Sequence, residues 1–351
     1  MHRPAATPSP ADSLLDVPAS AWRGVLGRTT DTAYRGDQVA RWVFRHGVFA
    51  FADMVNLPQP LRGALAARFS VTPPAVAARF VSVDGTSRFL LELRDGARVE
   101  AVYMPYQDRV TLCISSQVGC RFACGFCQTG VMGLQRSLTV GEIVGQVLRL
   151  RAEEEHLERP VNVVFMGQGE PLDNPEAVRD AARALQDPLG PGLSWRRITV
   201  STVGVVSALP ELAAMGPERP RIAVSLNATT DEVRSAIMPI NRKWPIEALL
   251  AGLRGMPWRP REKVTFEYVL LAGVNDTLDD ARRLGRLLRG LPAKVNLIPW
   301  NPLPALPFRR PGPEHVERFR VTALEGGIDV LVRYSRGADI AAACGQLHTA
   351  Q

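Results

Sequence analysis

From about residue 110 the chain alternates short strand-like runs with helical runs, and nothing else in it constrains the fold so tightly. The runs Val110–Ser116, Val161–Met166, Ile198–Val203, Arg221–Leu226, Lys263–Leu271, Lys294–Ile298 and Ile328–Tyr334 are apolar and rich in β-branched residues. Helical runs lie between them. One starts at the capping box Thr139-Val-Gly-Glu142, and others cover roughly 175–186, 230–238, 246–255, 278–289 and 314–325. Strand–helix alternation predicts an α/β fold with a parallel sheet, because parallel neighbours need crossover connections. Several strands end in small polar residues: Gly167-Gln-Gly-Glu170-Pro171, Ser201-Thr202, Ser225-Leu226-Asn227 and Asn301-Pro302. In parallel barrels and open α/β sheets, binding sites sit at the carboxyl ends of the strands.

The first hundred residues read differently. Residues 1–20 are rich in Pro, Ala and Ser and are expected to form a disordered tail. Residues 21–75 read as a small helical accessory domain, with Val39, Trp42 and Val43 on one face and Leu61, Leu65 and Phe69 on another. Residues 76–105 read as a β extension with Asp84-Gly85 and Asp95-Gly96 as hairpin turns. The catalytic core is expected over 106–337, followed by a C-terminal segment, 338–351, that carries Cys344. No apolar run is long enough to span a membrane, and the first residues form no secretory leader. The chain is therefore expected in the cytoplasm with reduced thiols and no membrane partner. The net charge of +7 suits a polyanion partner. Arg35, Arg41, Arg45 and Arg62 of the helical module are candidate phosphate contacts.

Chemistry enters at Cys120-Arg-Phe-Ala-Cys124-Gly-Phe-Cys127. Three close thiolates can hold three irons of a [4Fe–4S] cube and leave the fourth open to a small molecule. This Cys-x3-Cys-x2-Cys spacing is the signature of radical S-adenosylmethionine (SAM) enzymes, in which SAM chelates the open iron. The bland alternative is structural zinc with Cys113 as fourth ligand, but zinc sites usually pair Cys-x2–4-Cys units. Glu170, beside glycines that let backbone approach a ligand, can accept hydrogen bonds from the SAM ammonium. Two further cysteines, Cys113 and Cys344, lie far from each other in sequence.

Together these segments resemble the RlmN/Cfr family of radical SAM RNA adenine methyltransferases, most closely its RlmN, adenine-C2 branch. The resemblance runs through Gly36–Trp42, Asn56-Leu-Pro58, Val99–Pro105, Cys113–Cys120, Asn162–Gly167, Met238–Asn241, Phe266-Glu-Tyr268, Val274-Asn-Asp276, Asn296–Pro302 and Ala343–Leu347. It implies a six-stranded partial (β/α) barrel with the helical domain and β extension attached. It implies one [4Fe–4S] cluster per chain on Cys120, Cys124 and Cys127. It implies SAM contacts from Gly169, Glu170, Ser201, Ser225, Leu226, Asn227 and Asn301. The family more often has Met at position 168 and His at position 227, so Gln168 and Asn227 depart from it in the SAM pocket.

The resemblance also implies a reaction. A first SAM methylates Cys344. A second SAM, reduced through the cluster, leads to a radical on that methyl group, which adds to the adenine and leaves a protein–RNA crosslink. A base then takes the ring proton, and a second thiol releases the product, as in thiol–disulfide exchange. Glu100, at the family's proton-acceptor position, and Cys113 are the two candidates for taking the proton, and the sequence does not choose between them. The implied substrates are an adenosine of 23S rRNA near the peptidyl-transferase centre and the adenosine 3′ of some tRNA anticodons. The implied electron donor is a flavodoxin or ferredoxin. The alternatives are C8 methylation of the same rRNA adenine and a zinc-stabilised RNA-binding module without catalysis.

Overall fold

The structure is a computed structural model that describes residues 12–27, 34–154 and 159–348. Its centre is a ten-stranded sheet. Six parallel strands form the barrel section: Val110–Cys113, Val161–Phe165, Ile198–Thr202, Arg221–Ser225, Val264–Leu270 and Ala293–Pro299. A seventh, Asp329–Val332, pairs with the last of them at one edge. At the other side Arg98–Pro105, Ser87–Glu92 and Ala75–Val81 continue the sheet antiparallel. The expected β extension is therefore continuous with the barrel sheet, with Val102 opposite Cys113.

Alternation within the strands separates core from site. Val161, Val163 and Phe165 are buried, whereas Asn162 and Val164 are only partly buried. Ile198, Val200 and Thr202 alternate in the same way with Thr199 and Ser201. Period two makes this unavoidable: one face packs under helices, and the other lines the barrel. The helices lie close to their expected spans: Val140–Glu153, Pro175–Gln186, Asp231–Ile237, Ile246–Arg254, Leu278–Leu287 and Pro313–Glu325. The capping box at Thr139 is formed, with Glu142 N donating to Thr139 Oγ1 at 3.2 Å and Thr139 N to Glu142 Oε2 at 2.9 Å.

Residues 12–20 are not a disordered tail. Asp12–Ser13 pairs with Phe69–Ser70, Leu14 and Leu15 are buried, and Asp16 Oδ1 accepts from Gly141 N at 2.6 Å. Average composition hid two leucines that the accessory module needs to close its core, so that module starts inside the expected tail. The rest of the expected tail lies outside the described residues. Part of the cysteine run is strand. Cys120 ends the strand Gln117–Cys120, which pairs antiparallel with Gly133–Ser137.

A candidate cluster and cofactor site joined to a basic cavity

The three clustered cysteines sit on a loop that its own backbone fixes. Cys127 precedes the short helix Gln128–Val131 and donates its N–H to Cys124 O at 3.1 Å. Gly125 N donates to Ile237 O at 2.9 Å. Ala123 turns the chain with φ of 49°, and Gly130 packs so close that a Cβ would lie 2.9 Å from Cys124 N. Burial pushes the Cys120 thiol up to about 12 and the Cys124 thiol well above its ordinary value. The mutual repulsion of the ionised thiols adds to both. Three desolvated thiols that oppose one another's ionisation fit a polynuclear cationic centre, which would reverse that penalty.

Among the described residues, no three His, Cys, Asp or Glu side chains converge as one metal ion requires. A cube spreads its ligands over separate irons and makes no such demand. The zinc alternative also loses its fourth ligand. Cys113 packs in a different apolar cluster, with Val102, Ala342 and Leu347.

A cavity of about 150 Å³ adjoins the cysteine loop, lined in part by Cys124, Cys127, Gly169, Glu170, Ser201, Ser225, Asn227 and Asn301. The strand ends singled out in the sequence thus converge here. Gly169 has φ of 98°, and a Cβ there would meet Gln117 Cβ at 2.6 Å. Only glycine fits the close approach. Glu170 Oε2 accepts from Val203 N at 2.8 Å and Oε1 from Leu172 N at 3.0 Å. Burial lifts its carboxyl to about 7, against the pull of those hydrogen bonds.

The expected SAM contacts do not all stand alike. Leu226 is buried outside the cavity lining, and its carbonyl accepts from Arg234 Nε at 3.0 Å. Asn227 lines the cavity, but its Oδ1 is held by Val269 N at 2.8 Å. Asn301 Nδ2 donates to Cys344 O at 3.1 Å and so steadies the C-terminal loop. Of the two departures from the family pattern, only Asn227 touches the cavity. Gln168 N instead donates to Ser115 Oγ at 2.8 Å, and its Oε1 accepts from Glu100 N at 3.3 Å.

A second cavity, of about 320 Å³, lies below the first within the barrel. Met166, Glu267, Ile298, Cys344 and Leu347 line both. Cys113 lines the second, so the two lone cysteines face one space. Cys344 is accessible there, though the surrounding protein still lifts its thiol to about 12. Toward the amino ends of the strands the walls become basic, with Arg196, Arg221 and Lys294, and Arg333, just past the strand Asp329–Val332, adds a further charge to the lining.

Glu100 lines neither cavity. Its carboxylate pairs with Arg88 and accepts from His348 N at 2.6 Å. It stands two residues from Val102, the partner of Cys113, and so on the same sheet face. Burial raises its carboxyl despite Arg88.

One residue that shapes the site had no signal in the sequence. Arg234 is fully buried, and its Nη2 donates to Val203 O at 2.7 Å and Ser225 O at 3.2 Å. It ties together two strand ends that carry the upper cavity. As one arginine in a short polar helix it is indistinguishable from a surface residue.

Residues 114–285 match the Radical SAM superfamily, and residues 13–71 match the Ribosomal RNA large subunit methyltransferase N-terminal domain. The chain is 46% identical to the dual-specificity RNA methyltransferase RlmN 2 of Myxococcus xanthus, over 98% of this chain and 93% of that protein. It is 46% identical to the dual-specificity RNA methyltransferase RlmN of an Anaeromyxobacter species, over 97% and 91%. This chain belongs to the RlmN family. A radical SAM methyltransferase from Sphaerobacter thermophilus shares the fold with a TM-score of 0.92 and 43% identity, over 97% of this chain and 99% of that one. As a radical SAM protein of this family, the chain uses a [4Fe–4S] cluster and SAM. Cys120, Cys124 and Cys127 lie close together in the chain, and Cys124, Cys127 and Glu170 line the same space.

Proposed function

We infer that this chain is an RNA methyltransferase acting on C2 of adenosine, in 23S rRNA and in tRNA. The observation that carries the reading is the place of Cys344. It lies where a cavity bordered by Cys124 and Cys127 meets a basic cavity lined by Cys113. A methyl group carried on that sulfur could be reached from the cofactor side and delivered to a base on the other.

When bound, the cluster and SAM supply the one-electron chemistry that activates an otherwise inert C–H bond. The chain's own residues do the rest. Cys120, Cys124 and Cys127 hold the cluster. Gly169, Glu170, Ser201, Ser225, Asn227 and Asn301 hold SAM, with Glu170 facing its ammonium; Leu226 stands outside the cavity lining, with its backbone groups bonded to Arg234 and Glu267. Cys344 accepts the methyl group as a nucleophile. Cys113 attacks the Cys344 sulfur to release product. Of the two candidates for the ring proton, Cys113 faces the space that holds Cys344, whereas Glu100 is covered by the Arg88 pair and by the chain at His348. Glu100 serves as proton acceptor only if the C-terminal segment moves.

The reading places the enzyme in the cytoplasm, with a flavodoxin or ferredoxin as electron donor. Among the described residues no helix is long and apolar enough to cross a membrane. The test is nucleoside analysis of rRNA and tRNA from cells with and without this protein. Loss of 2-methyladenosine from both RNAs is the expected result. Loss of 8-methyladenosine instead would transfer the chain to the family's other activity.

A further inference from the structure

Inside the barrel, residue chemistry changes in steps along the strands. At the amino ends stand Arg221 and Lys294; two residues further on the same faces stand Ala223 and Asn296; two further again stand Ser225 and Ile298. Ser225, Glu267 and Asn296 lie side by side in register on three neighbouring strands. Glu267 lines both cavities and is near enough to Cys344 for its charge to disfavour that thiolate. A ring of polar groups thus separates the cationic mouth from the reactive sulfur.

One atom in that ring is unsatisfied. Asn296 is 7% exposed, and its Oδ1 has no hydrogen-bond partner among the described residues. Its Nδ2 donates to Glu267 Oε1 at 2.9 Å. With Glu267 ionised that bond fixes the amide, since turning it over would set oxygen against carboxylate oxygen; burial raises the Glu267 carboxyl. Asn296 lines the lower cavity, and its Oδ1 is the atom that the bond to Glu267 leaves without a partner. A buried acceptor without a partner costs about 1–3 kcal/mol, so it is a group awaiting a donor.

The donor must suit a space reached from a cationic mouth and ending at Cys344. Resting on the RNA-adenine reading above, we propose that Asn296 Oδ1 accepts from the exocyclic amino group of the target adenine, with Glu267 positioning the amide. An extruded base is usually read on its Watson–Crick edge. In adenine, the amino group on C6 and the C2 carbon flank N1 on that edge. Holding the amino group at Asn296 turns C2 toward the Cys344 side. Guanine presents a carbonyl oxygen there, which would meet Oδ1 lone pair to lone pair.

The test compares two RNA stem-loops methylated by the cluster-loaded enzyme. One carries adenosine at the target position; the other carries purine riboside, which keeps C2–H and lacks the amino group. The readout is the ratio of kcat/KM for the two RNAs, measured on wild type, Asn296→Ala, Asn296→Leu and Glu267→Leu. Differences in folding or cluster content cancel in that ratio, because both RNAs meet the same preparation. The intrinsic reactivity of the two bases cancels between wild type and variant. Both Asn296 variants should lower the adenosine preference by about tenfold or more, the discrimination expected of one good base contact. Glu267→Leu should lower it by a smaller factor. An unchanged ratio in whichever Asn296 variant retains activity overturns the reading contact, and an unchanged ratio in Glu267→Leu overturns the positioning role. A wild-type enzyme that methylates neither RNA would instead sink the function on which the inference rests.

Discussion

Cys113 and Cys344 meet in one cavity although 230 residues separate them in the chain, and their roles should separate in mutants. Cys344→Ala removes the methyl acceptor, so neither product nor RNA crosslink should form. Cys113→Ala should stall after crosslinking, with RNA attached through Cys344. The readout is a denaturing gel after co-expression, with and without nuclease. Normal turnover in either variant would exclude methylene transfer through these thiols. Glu170 gives a second test at this scale. Burial lifts its carboxyl from 4.5 to about 7. A carboxyl raised in the folded state favours folding at pH below its unfolded value and loses that contribution as pH rises toward the folded one. The cluster-free protein should therefore lose stability from about pH 4.5 to about pH 7 through this group. Glu170→Gln should flatten that part of the profile in denaturant titrations. Parallel profiles for wild type and variant would mean that Glu170 titrates in the folded state as it does in the unfolded chain.

Among the elements, the Gly167–Glu170 turn leaves no room for a side chain at Gly169. Gly169→Ala combines a positive φ with a Cβ overlapping Gln117, so the turn must move. SAM affinity of the cluster-loaded protein, measured by equilibrium dialysis, should fall by tenfold or more. The denaturation midpoint should fall far less, because the Thr139-capped helix and the barrel strands do not depend on this turn. Unimpaired SAM binding would show that the upper cavity is not the SAM site. This turn was legible in the sequence because glycine, glutamate and strand end stand together. The barrel strands were legible for a similar reason: their β-branched runs repeat between amphipathic helices. What stayed hidden depends on distant partners. Leu14 and Leu15 look like tail residues until the Phe69–Ser70 strand is beside them. Arg234 looks solvated until the carbonyls of Val203 and Ser225 close on it. Asn296 looks like any polar strand residue until Glu267 has fixed its amide. Periodicity reports which face is buried, and it cannot report which buried polar groups converge.

Across the whole molecule, the excess positive charge has a definite place. Arg196, Arg221, Lys294 and Arg333 crowd the lower cavity, and among the described residues none of them has an ion-pair partner. Burial lowers the Lys294 ammonium, and Arg221 and Arg333 lower it further. Such crowding is unfavourable in the free protein and is relieved by a polyanion. The N-terminal arginines offer less. Arg35 bonds Gln38 and Arg62 bonds the Ala52 carbonyl, which leaves Arg41 and Arg45 exposed. Phosphates flanking the target nucleotide should therefore bind mainly at the barrel mouth. Each phosphate contact on a single strand contributes about 0.7 to the slope of log affinity against log salt. The double variant Arg221→Gln, Arg333→Gln should lower that slope by about 1.4, and Arg41→Ala, Arg45→Ala should lower it by less. If the second pair carried the larger change, the accessory module and not the barrel mouth would be the main electrostatic contact with RNA.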